Sequence, residues 1–376
     1  MTTISDQLGQ LMIVGVDGGS FDRDTENFLA NVRPGGVIFF QRNIAGAPQF
    51  FGLVRDIRDW FRKTLDNPPF LAIDLEGGTV DRLRGVLAPL PAAREAAQAG
   101  MGQALGRMAG REVAAFSLNV DFAPVLDLCS AASATVMGSR TVGESPAEVI
   151  DFARSFLQGL SESDVIGCGK HFPGLGGGSK DSHKELPVVE KSEAQMWEED
   201  LAPFRALSGE LPMIMAAHVF CPSLGGDTGA SGEPQAAQIP STLSREVITG
   251  LLKQRIGYMG LVICDDLEMQ GVLQGRTMEE AAAAALKAGC DILLLCGATA
   301  NTQRVFDALL GEANADAEFR RAVERSAEKI RLAKERMNIS RKTGDVKEPD
   351  FDALRKEIES FSAEVRKRLA GKGGKR

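Results

Sequence analysis

The segment GKHFPGLGGGSKDSHKELP, residues 169–187, carries Asp181 two residues before His183 on a glycine-rich stretch. A carboxylate beside an imidazole selects the tautomer and supports the charged ring, which makes such a histidine a directed proton donor and acceptor. Asp-x-His alone is a common pairing, so the surrounding residues decide its meaning. Lys170 could form a Schiff base, although no partner for carbon–carbon chemistry is evident. Gly176, Gly177 and Gly178 could cradle phosphate, but the GxxxxGK[ST] spacing is missing. The chain has three histidines, His171, His183 and His218, and none stands in an HExxH or Cys/His metal pattern. Acid/base chemistry or core hydrogen bonding remain the readings for them, with no metal and no cofactor expected.

Side chains of this kind need a scaffold that brings them together. Eight short apolar runs, each bounded by Gly, Pro or polar residues, fall at 11–16, 36–40, 70–74, 119–128, 165–172, 213–220, 260–266 and 291–296. Amphipathic helical stretches separate them, the alternation expected of repeated βα units. Ser145, Pro146 and Glu148 form a capping-box start for one helix, and Thr277 with Glu280 starts another that Gly289 ends. The fold predicted is α/β, a single TIM-type (β/α)8 barrel over residues 1–340. Residues 341–376 follow as an amphipathic helix, with Leu354, Ile358, Phe361, Val365 and Leu369 on one face, and a disordered basic tail, GKGGKR. Polar and charged residues stand at the ends of several runs, in LAIDLEGG, FAPVLD, GKHFPG, AAHVF and VICDDLEM. In such a barrel those ends converge on one rim. The irregular stretch 221–240 follows the sixth run and reads as a lid or specificity loop, with plain disorder as its alternative.

At 376 residues with 44% hydrophobic and 25% charged content, the chain can bury the core of one barrel. Its formal charge of −8 provides no footprint for a polyanion, so nucleic acid is not an expected partner. No leader-like N-terminus and no long apolar span are evident, which predicts a cytoplasmic protein without membrane contact; a monomer is expected. The six cysteines are scattered without CxxC pairs, as expected of buried thiols in a reducing compartment.

Seven segments in order, GGVIFFQRN, IDLEGGTVDRL, NVDFAPVLD, MGSRTVGESP, KHFPGLGGGSKDSH, MIMAAHV and VICDDLEM, resemble glycoside hydrolase family 3 and within it the single-domain β-N-acetylhexosaminidase branch. The resemblance spans roughly residues 8–335. It implies retaining hydrolysis of terminal non-reducing β-N-acetylglucosamine from small glycosides such as peptidoglycan fragments, through a covalent glycosyl-aspartate. Asp265 takes the nucleophile's position, with Asp266 as its competitor, and Asp181 and His183 take that of the acid/base pair. Asp74, Arg82, Arg140, Lys170 and His171 match positions that hold the terminal sugar, while His218 reads as support behind them. The sequence departs from the usual pattern at Leu175, Thr79 and Ser145, where His, Arg and Asp are common. A family 3 β-glucosidase or glycoside phosphorylase is the alternative activity, and a sugar-binding barrel without turnover is the non-enzymatic one.

Overall fold

Each of the eight runs holds one strand, and every strand is buried along its whole length. In the computed structural model, which describes residues 3–65, 67–178, 185–225, 238–339 and 347–373, they form β1 (Met12–Gly15), β2 (Gly36–Phe39), β3 (Phe70–Ile73), β4 (Val120–Asp121), β5 (Ile166–Phe172), β6 (Met213–Ala216), β7 (Leu261–Cys264) and β8 (Leu293–Leu295). Each strand pairs in parallel with the next, and β1 also pairs with β8 through Met12 and Leu293. A parallel bridge between Ile263 and Ile292 joins β7 to β8 and closes the ring. Strands covered by helices outside and by side chains inside must be apolar on both faces, which is why continuous runs rather than alternating ones marked them.

The helical signals take the predicted form. Ser145 Oγ accepts from Glu148 N while the Glu148 carboxylate accepts from Ser145 N, and Pro146 opens the helix Pro146–Ser161. Thr277 and Glu280 repeat the box on Met278–Ala288, which Gly289 ends at φ 115°. The N-terminal helix Ile4–Gln10 packs against Ala317–Arg336.

The connection after β3 turns back at once, and this local fold shapes the site. Leu75–Gly77 pairs antiparallel with Val80–Asp81 around Gly77 and Gly78, whose φ values of 83° and 60° favour glycine. The Asp81 carboxylate ties the hairpin down by accepting from Leu83 N and Leu90 N, each at 3.0 Å. The hairpin thereby carries Glu76 and leads into Arg82 above the barrel mouth.

The last helix, Phe351–Gly373, lies on the barrel's outside and runs through Gly371–Gly373, into the stretch read from sequence as a tail. Phe351 stacks on Phe116 at 5.0 Å between centroids, Arg355 and Ser362 donate to the carbonyls of Val86 and Pro89, and Ile358 and Val365 are fully buried. Truncating Ile358 to alanine should therefore cost about 2–5 kcal/mol through lost burial and an unfilled cavity. Urea unfolding checks this, and an unchanged midpoint would show that the helix contributes nothing to barrel stability.

Candidate active site

Asp74 directly follows β3, Lys170 and His171 belong to β5, His218 lies two residues beyond β6, and Asp265 directly follows β7. All five strand-end positions lie toward the C-terminal mouth of the barrel. There a cavity of about 560 Å³ is lined by Asp74, Arg82, Arg140, Lys170, His171, Asp265 and Asp266, among others. Adjacent residues of a regular strand point to opposite faces. Lys170 and His171 both reach the cavity because the β5–β6 register shifts between Lys170 and Phe172.

One ion network organises the cavity. Lys170 Nζ lies 2.8 Å from Asp74 Oδ1 and 2.7 Å from Glu76 Oε1, with both Lys170 and Glu76 buried. Arg140 grips the same Glu76 carboxylate with two donors, Nε at 2.8 Å and Nη2 at 2.9 Å. Burial opposes the Glu76 charge, yet the Lys170 ammonium and Arg140 guanidinium outweigh it and hold the carboxyl far below the usual range. Burial likewise opposes the Lys170 charge, and Asp74 and Glu76 reverse the effect and hold the ammonium above its ordinary value. Arg82 Nη2 stands 3.8 Å from Asp74 Oδ2, and its guanidinium covers the Phe40 ring. Arg82 Nε is buried without a protein partner among the described residues, a donor available to a bound molecule.

His171 is fixed from behind. Its Nδ1 lies 2.7 Å from Asp127 Oδ2, and Arg140 Nη2 approaches its Nε2 at 3.5 Å. The other Asp127 oxygen accepts from Leu175 N at 2.7 Å, so one carboxylate anchors both the ring and the start of the glycine-rich stretch. Gly174, at φ 125°, leaves no room for a Cβ, which would meet Asp200 Cβ at 2.6 Å. Asp181 and His183 themselves fall outside the described residues, as do positions 226–237 of the 221–240 stretch. Gly178, directly before the first of these stretches, and Pro187, three residues after it, both line the cavity.

The two adjacent aspartates differ in charge preference. Burial pushes against ionisation of Asp265, but the His171 and His218 rings, the Asp266 N–H and Lys170 together hold its carboxyl below the ordinary value. Asp266, by contrast, is pushed up to about 6 by burial, with the charges of Asp265 and Glu268 adding to the rise and the N–H groups of Glu268 and Cys296 opposing it. A paired environment that separates two carboxyls in this way assigns them different work. Two further carboxyls lie below the network: burial raises Asp121 and Glu112 well above the ordinary range, which favours their neutral acids.

Of the described residues chosen from the sequence, Asp74, Arg82, Arg140, Lys170, His171 and Asp265 line one cavity, while His218 is buried outside its lining. Sequence reasoning passed over Glu76, Asp127 and Phe40. Glu76 stands two residues after Asp74, an alternation that could have marked it as sharing a face, and Asp127 ends the FAPVLD segment. Among the described residues no group of carboxylates, cysteines or histidines could hold a metal ion.

A closed parallel barrel with polar strand ends converging on a single cavity defines a (β/α)8 barrel of the enzyme type. Residues 3–331 match the family described as Glycosyl hydrolase family 3 N terminal domain, and the chain belongs to that family. A β-hexosaminidase of Idiomarina loihiensis is 34% identical over 310 residues, which cover 80% of this chain and 88% of the relative. One from Alkalilimnicola ehrlichii is 35% identical over 300 residues, covering 77% and 81%. Among solved structures, a glycoside hydrolase family 3 β-N-acetylglucosaminidase from Paenibacillus superposes with a TM-score of 0.84 at 29% identity, covering 96% of this chain and 69% of that one. A β-N-acetylhexosaminidase from Beutenbergia cavernae gives 0.78 at 26% identity, covering 89% and 99%.

The Glu76 network links stability to pH. With its folded carboxyl far below the ordinary 4.5, Glu76 contributes stability that is complete above about that pH and is lost as pH falls toward the depressed value. Glu76→Gln should lower unfolding free energy at pH 7 by about 3 kcal/mol, because it leaves buried cations less well paired. It should also flatten the loss of stability below pH 4.5, and urea titrations across pH 3–7 read both effects. An acid limb as steep as that of the wild type would remove Glu76 from this role.

Proposed function

We propose that the protein is a retaining β-N-acetylhexosaminidase that removes terminal non-reducing β-N-acetylglucosamine from small glycosides, through a covalent intermediate on Asp265. The observation that carries the nucleophile assignment is the position of Asp265 directly after β7 in the cavity wall, with its carboxyl held below the ordinary range while Asp266 beside it is pushed up to about 6. A nucleophilic carboxylate must be charged when the sugar arrives. Family membership and the β-hexosaminidase relatives support the reaction class.

In this reading an Asp265 oxygen attacks the anomeric carbon as the glycosidic bond breaks, and His183, oriented by Asp181, gives its proton to the departing oxygen. Water then attacks the glycosyl-aspartate while His183 takes back a proton, releasing the sugar with net retention. Asp74 and Lys170 present a carboxylate and an ammonium to sugar hydroxyls, His171 is held rigid by Asp127, and the free Arg82 Nε and the Arg140 fork supply further donors. These groups position the pyranose. No cofactor is required, because a nucleophile and a proton shuttle suffice.

The finer reading is that a monomeric enzyme acts in the cytosol on peptidoglycan fragments. All six cysteines are free and five are buried, in keeping with a reducing compartment. No helix among the described residues is long and apolar enough to cross a membrane.

Release of nitrophenol from nitrophenyl glycosides, and of N-acetylglucosamine from an alkyl β-N-acetylglucosaminide with a poor leaving group, tests the proposal. The wild type should prefer the nitrophenyl β-N-acetylglucosaminide over the β-glucoside. Asp265→Ala should lower kcat by about 10⁴-fold or more, and His183→Ala should lower turnover of poor leaving groups by about 10²–10⁴-fold. Unimpaired turnover by Asp265→Ala, or preference for the glucoside, would overturn it.

A further inference from the structure

His218 is completely buried, and its two ring nitrogens face acceptors. Nε2 lies 2.9 Å from the main-chain carbonyl oxygen of Asp266, which can only accept, so Nε2 carries a hydrogen. Nδ1 lies 2.9 Å from Thr242 Oγ1. That hydroxyl has one proton, and its oxygen sits 2.6 Å from the carbonyl of Ala217 and 3.3 Å from that of Ala216. Two oxygens 2.6 Å apart repel unless a proton lies between them, so the Thr242 proton goes to Ala217. Only a lone pair remains for Nδ1, and Nδ1 must donate as well. A ring that donates from both nitrogens is an imidazolium.

We propose that His218 is a permanently protonated imidazolium that positions the nucleophile, as counter-charge to Asp265 and as a clamp on the Asp265–Asp266 turn. The inference rests on the reading of Asp265 as nucleophile. The Asp265 carboxylate is the anion that makes a buried cation tolerable, and its charge is in turn favoured by the His218 ring. Lys170 and His171 from β5 also act on the aspartate, as do Asp266 beside it and the buried thiols of Cys168, Cys264 and Cys296, while Asp266 also faces Glu268. The arrangement gives His218 a part in both chemical steps. Before attack it keeps Asp265 ionised. In the glycosyl-enzyme the ester has no charge, and the attraction between the imidazolium and the Asp265 carboxylate is lost. Breaking the Asp265–sugar bond restores the carboxylate, so His218 favours departure of the aspartate when water attacks.

The chain has three histidines, so ¹⁵N-histidine labelling gives a spectrum simple enough to assign by loss of signal in His171→Asn and His183→Ala. In the wild type, the His218 ring should show hydrogens on both nitrogens, unchanged from pH 5 to pH 8. A single neutral tautomer, or titration across that range, would overturn the proposal without any variant of His218 itself. In folded His218→Gln, which keeps a donor and an acceptor but no charge, the acid limb of kcat/KM should move up by about one pH unit or more. Thr242→Val, which removes the acceptor at Nδ1, should move the limb the same way by a smaller amount. An acid limb unmoved in both folded variants would contradict the electrostatic role. A doubly protonated His218 in a protein whose Asp265→Ala variant retains full activity would instead leave its ionisation standing and overturn the nucleophile assignment.

Discussion

Lys170 holds its ammonium between Asp74 and Glu76 inside the mouth of a barrel, where an unpaired charge of either sign would be heavily penalised. Much of the site follows from satisfying that one cation. Glu76 needs a second partner once it is buried, and Arg140 supplies two donors from a connection beyond β4. Asp74 keeps one oxygen turned toward Arg82. The hairpin at 75–81 exists in a form that delivers Glu76 to this place, and the Asp81 carboxylate secures the hairpin through two backbone N–H groups. The network is thus a rigid polar wall against which hydroxyl groups can be oriented without reorganisation.

The nucleophile's turn faces this wall from β7. Asp265 and Asp266 share a backbone turn and differ by one strand position, yet their surroundings separate them. One carboxyl faces two imidazole rings and an ammonium, and the other is buried next to its neighbour's charge. The His218 ring binds the carbonyl of that same turn, so charge and geometry are controlled by one group.

The eight strands were legible because burial on both faces demands uninterrupted apolar runs, and the capping boxes of Ser145 and Thr277 were legible because their signals are local. The cavity was partly legible for a related reason: a charged residue at the end of an apolar run has few places to go in a barrel. The partnerships were hidden by distance along the chain. Glu76 meets Arg140 from 64 residues away and Asp127 meets His171 from 44, separations at which spacing carries no information. Glu112 was hidden differently, since its helix reads as ordinary and nothing local indicates that this carboxyl is buried near Asp81 and Asp121. The ionisation of His218 depends on where a single threonine proton points, which only the three-dimensional neighbourhood determines.

The most direct test of the account is to trap the intermediate. Incubation with the 5-fluoro derivative of β-N-acetylglucosaminyl fluoride slows both steps and allows the glycosyl-enzyme to accumulate for peptide mass spectrometry. One sugar per chain should be attached to Asp265 and released on transfer to water or an acceptor. Attachment to Asp266, or turnover with inversion and no covalent adduct, would contradict it.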